Sequence, residues 1–140
     1  MASRIHPLFS YISALAALLL WGGWAYVVNG SDNAHATGLT AALVQGSASF
    51  VITLLMVRAV TWLHTHIAPG GLQAWLPAVI TITCTGSVLV TAHSLAGTPH
   101  IFRTIAPALL VGLLFCLFTS HALRQAESNH ALHKVKSNHG

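Results

Sequence analysis

LTAALVQGSASFVITLLMV, residues Leu39–Val57, carries no charge over nineteen residues, and Arg58 follows it directly. A helix needs about 20 largely apolar residues to cross a hydrocarbon core of about 30 Å. This run has the length and the composition, and an uncharged stretch of that extent has few uses in a water-soluble domain. Working outward, three more runs have the same character: 8–28, 72–92 and 101–123. The fold class expected is therefore an all-α membrane protein, a four-transmembrane-helix bundle.

The whole chain agrees. Only eight of 140 residues are Lys, Arg, Asp or Glu, and hydrophobic residues make up 54%. An ordinary soluble domain is about 25% charged, and a charge at the bilayer centre costs at least about 2.5–3.5 kcal/mol on insertion scales. The charges here stand at the edges of the apolar runs. Arg4 precedes the first run, but Leu8–Val28 exceeds the roughly 7–15 residues of a signal-peptide core. Asn29-Gly30-Ser31-Asp32 offers no small-residue cleavage pattern, so the first run is expected to be a retained span.

Lys and Arg set orientation, because basic residues accumulate on the cytoplasmic side. With the N-terminus inside, Arg4, Arg58, Arg124, Lys134 and Lys136 are cytoplasmic and only Arg103 is external. Both termini are thus expected in the cytoplasm, and short loops without a targeting signal point to a bacterial inner membrane. Trp21, Trp24 and Tyr26 at one end, and Trp62 and Trp75 at the other, suit interfacial belts. Residues 125–140 read as a polar, disordered tail. The fourth helix starts either at Pro99 with Thr98 as its N-cap, which puts Pro107 inside it and frees the Arg103 carbonyl, or at Pro107 itself.

Spans associate through small residues and interhelical hydrogen bonds. Ala108, Gly112, Cys116 and Ser120 form a small-residue ladder, Ala42 and Gly46 repeat the spacing, and Thr81, Thr83, Thr85, Ser87 and Thr91 make the third span hydroxyl-rich. Close packing with hydroxyls bonded to the local backbone is the plain expectation; a solute path along Gln45, Ser49 and Thr53 is the alternative. At the external end, Asn29, Gln45, Ser49, His93, His100 and Arg103 are the candidate binding residues, a polar pocket in which Arg103 would hold an anionic group. The opposing expectation pairs Arg103 with Asp32 across the loops.

The histidines all fall at span ends, where an amphipathic ring is at ease. His64 and His66 with His121 could form an inner metal or haem site, but no metal and no cofactor is expected. Catalysis is not expected either. Asp32 and Glu127 lie on opposite sides, which leaves no carboxylate pair, and no span carries the acid on which proton-coupled carriers depend. Cys84 and Cys116 sit within apolar runs as small hydrophobes. The sequence therefore leads to a non-enzymatic accessory or assembly subunit. Its expected partners are the lipid bilayer and a membrane protein or further copies of itself, not nucleic acid. A small oligomeric carrier of a lipid or anionic solute is the alternative, and a haem electron carrier a weaker third.

Overall fold

The computed structural model describes residues 7–30, 34–67 and 70–138. Four α-helices follow one another: α1 (Pro7–Asn29), α2 (His35–His66), α3 (Leu76–Leu95) and α4 (Ile101–Asn138), with a 3-10 turn at Gly71–Ala74 before α3. Each α-helix contains a segment long and apolar enough to cross a membrane. Short connections make neighbours antiparallel. The start of α1, the end of α2, the start of α3 and the end of α4 thus share one end of the bundle, called here the termini end. The α1–α2 and α3–α4 connections form the hairpin end.

Two helices, α2 and α4, run well past their apolar runs. α2 continues past Arg58 to His66, so Trp62 is helical and stacks on His66 at 4.3 Å. The third run begins in the 3-10 turn, and α3 starts at Leu76 with Pro77 in its first turn, where a missing N–H costs nothing. The polar segment from Gln125, expected as a tail, continues α4 to Asn138. Hydropathy marks where lipid ends, not where a helix ends. Gln125, Ala126, Glu127, Ala131 and Leu132 are good helix formers, and no Gly or Pro interrupts them.

Packing rests on glycine where helices touch. Gly22 of α1 meets Gly46 of α2 nearly backbone to backbone: a Cβ on Gly22 would lie 3.1 Å from the Ala42 carbonyl, and one on Gly46 would lie 3.1 Å from that of Leu18. At the hairpin end, a Cβ on Gly38 would fall 2.7 Å from Gly30 Cα. Lower in the bundle, Val60, Ala78 and Cys116 form a buried layer joined by Met56, Ile82, Leu113 and Leu117. Three hydroxyls of α3 bond to the local backbone. Thr81, Ser87 and Thr91 each donate to the carbonyl four residues back, at 2.8–2.9 Å.

Candidate functional site

Six buried polar residues, Asn29, Gln45, Ser49, His93, Thr98 and Thr104, gather at the hairpin end in two networks. The first is built on the C-terminus of α3. Gly97 adopts the left-handed conformation (φ 67°), Thr98 N–H donates to His93 O at 3.0 Å, and Gly97 N–H donates to Ser94 O at 3.2 Å. This pair of bonds is the Schellman closure. It folds Thr98 back over the last turn and sets its Oγ1 2.9 Å from His93 Nδ1. On the other side of the ring, Nε2 lies 2.8 Å from Gln45 Oε1 of α2. An amide oxygen only accepts, so the neutral ring carries its proton on Nε2 and accepts from the Thr98 hydroxyl at Nδ1. Gln45 Nε2 donates onward to Ser49 Oγ at 3.5 Å. Gln45 and His93 have no exposed surface, and Ser49 and Thr98 are buried.

The second network is centred on Asn29, the last residue of α1. Its Nδ2 donates to Ala25 O at 2.9 Å and to Thr104 Oγ1 at 2.7 Å, while its Oδ1 accepts the His100 N–H at 3.1 Å. The orphan N–H at the start of α4 is therefore capped by a side chain from α1. Thr104 passes its own proton to His100 O at 2.8 Å. Thr98-Pro99 does not open the helix: α4 begins at Ile101, because the Thr98 hydroxyl is held by His93 and the capping falls to Asn29. Pro107 lies inside α4, and Trp24 Nε1–H donates to the Arg103 carbonyl at 3.0 Å.

The six candidate residues thus divide. Gln45, Ser49 and His93 converge, and Asn29 meets the backbone of His100. The side chains of His100 and Arg103 are exposed, and Arg103 enters through its carbonyl alone. Asp32 lies outside the described residues. Convergence at this end makes hydrogen bonds between helices.

A concavity lies deeper in the bundle. It is a cavity of about 220 Å³ with walls from all four helices, reaching from Trp21 and Ser49 to Met56 and Gly112 and opening sideways past Val111 and Phe115, both of them exposed. Its lining is mainly apolar, with hydroxyls from Ser49, Thr53 and Thr85. The residues Ser49 and Thr53, read from sequence as a possible path, do border this space. Its mouth faces the flank of the bundle.

At the termini end, the three histidines considered for a metal or haem site separate. His66 stacks on Trp62, and His121 is exposed beside Trp75 and Phe118. His64 is buried, with Nε2 3.4 Å from Glu127 Oε1. That separation suits an ion pair if the ring is protonated, but the atoms are not aligned as a hydrogen bond, and both ring nitrogens lack hydrogen-bond partners. The sequence reading missed this pairing because Glu127 was placed in a tail. Only a helix continued through residue 127 brings the carboxylate back to α2.

No protein-family model matches the chain, and neither a curated protein nor a solved structure is similar to it.

Proposed function

We propose that this chain is a small multi-pass protein of a bacterial inner membrane, with both termini cytoplasmic and no catalytic machinery of its own, that serves as an accessory or assembly subunit of a membrane complex. The observation that carries the reading is the way the buried polar side chains at the hairpin end are used. Gln45, His93 and Thr98 bond to one another, and Asn29 saturates its amide on Ala25, Thr104 and His100. Such networks rigidify a bundle and give it one arrangement. A rigid bundle with a lateral hollow at mid-height supports a role in association, because that depth of a bilayer offers only lipid tails and other spanning helices. Five of the six Lys and Arg residues fall on the termini side, which supports the orientation.

The test is purification from native membranes in a mild detergent, followed by size analysis and mass spectrometry. One larger membrane protein at fixed stoichiometry is the expected result; an isolated monomer from every preparation contradicts it. The lateral cavity favours a second reading, a carrier or binder of a lipid chain. Native mass spectrometry checks this directly, since a bound lipid retained by the parent chain and lost from Gly112→Phe would place the chain in the cavity.

A further inference from the structure

Two histidines of this bundle are equally buried, His93 with no exposure and His64 at 1%. Their surroundings differ. Both ring nitrogens of His93 are engaged, at 2.8 and 2.9 Å. Neither ring nitrogen of His64 has a hydrogen-bond partner, and the same holds for Ser120 Oγ, which is fully buried.

The helix register sets His64 and Ser120 at the same level of the bundle. α2 and α4 run in the same direction. Met56 Cε lies against Gly112, and Val60 shares a layer with Cys116. One turn further along both helices stand His64 and Ser120. Glu127, almost two turns beyond Ser120, reaches back until Oε1 is 3.4 Å from His64 Nε2, while its side chain stays 57% exposed. Gln73 is also close, but its amide donates to the His64 carbonyl at 3.0 Å and does not serve the ring.

We infer that His64, Ser120 and Glu127 enclose a hydrated polar site that holds water and communicates with solvent past Glu127. A neutral imidazole offers one donor and one acceptor, a hydroxyl offers both, and a carboxylate accepts. A buried water makes about three hydrogen bonds and occurs where polar groups would otherwise be orphaned, which is the situation here. Other ligands fit less well. The Glu127 carboxylate opposes an anion. No third His, Cys, Asp or Glu joins the pair among the described residues, which leaves a metal ion short of ligands. The site is distinct from the lateral cavity, because the Val60, Ala78 and Cys116 layer lies between them. Water here links a buried imidazole to a carboxylate open to solvent.

Water-edited solid-state NMR of the ¹⁵N-histidine-labelled full chain in lipid bilayers tests the site. Magnetisation from water should reach the His64 ring several-fold faster than the His93 ring, whose partners are all protein. In Ser120→Leu, whose larger apolar side chain fills the space, the His64 build-up should slow toward that of His93, with the His93 shifts unchanged as the control for folding. Equal slow build-up at both rings in the parent chain overturns the inference. So does a His64 build-up that stays fast in Ser120→Leu while His93 is unperturbed.

Discussion

The Trp24 indole donates its Nε1–H to the carbonyl oxygen of Arg103 at 3.0 Å, and this is the carbonyl that Pro107 leaves without its helical N–H four residues on. A proline inside a helix removes one backbone bond, and here a side chain from α1 replaces it. The bond therefore ties α1 to α4 at a carbonyl that Pro107 leaves free inside the helix.

Trp24→Phe keeps an aromatic ring and removes the donor. Trp24 is partly exposed, so the loss should be modest, about 0.5–1.5 kcal/mol. In a Pro107→Ala background the restored backbone N–H takes the same carbonyl, and Trp24→Phe should then cost almost nothing. Thermal unfolding of the four species in detergent measures the difference; equal costs in both backgrounds would show that Trp24 acts through packing alone.

Asn29→Leu should open the first turn of α4. The His100 N–H loses its acceptor, and because this group is only part-buried the expected cost is about 0.5–1.5 kcal/mol. Amide exchange at His100 should rise well before exchange in the middle of α4 changes. Uniformly faster exchange along the whole helix would instead point to global destabilisation.

Glycine substitutions separate contact from propensity. Gly38→Ala places a Cβ 2.7 Å from Gly30 Cα, with backbone as the obstacle, and should destabilise by about 1–3 kcal/mol. Gly23→Ala meets nothing within 4 Å and should stabilise by about 0.5–1 kcal/mol through helix propensity. The two should shift the melting temperature in opposite directions.

The four helices were legible because lipid imposes a simple composition rule, and the uncharged run after Leu39 obeys it. Ends were not legible, since apolar character stops at the membrane surface while helical hydrogen bonding does not. This explains both the extension of α2 to His66 and the pairing of Glu127 with His64. At the hairpin end, the polar character of Gln45, Asn29 and His93 could be read from the sequence, but their partners could not. Thr98 reached the His93 ring through the left-handed Gly97, and Thr104 reached Asn29 across 75 residues. Arg103 stood out by charge, yet its structural contribution comes from its backbone, which composition cannot reveal.

The claim that these polar residues lock the bundle is tested most directly by a double-mutant cycle between Gln45 and His93, followed by thermal unfolding. Gln45→Leu strands a ring nitrogen, and His93→Leu strands an amide oxygen and the Thr98 hydroxyl, whereas the double variant leaves neither Gln45 nor His93 to be stranded. The two single costs should therefore exceed the double cost by at least about 1 kcal/mol. Additivity within about 0.3–0.5 kcal/mol would contradict a mutual bond and reopen this end of the bundle as a binding site.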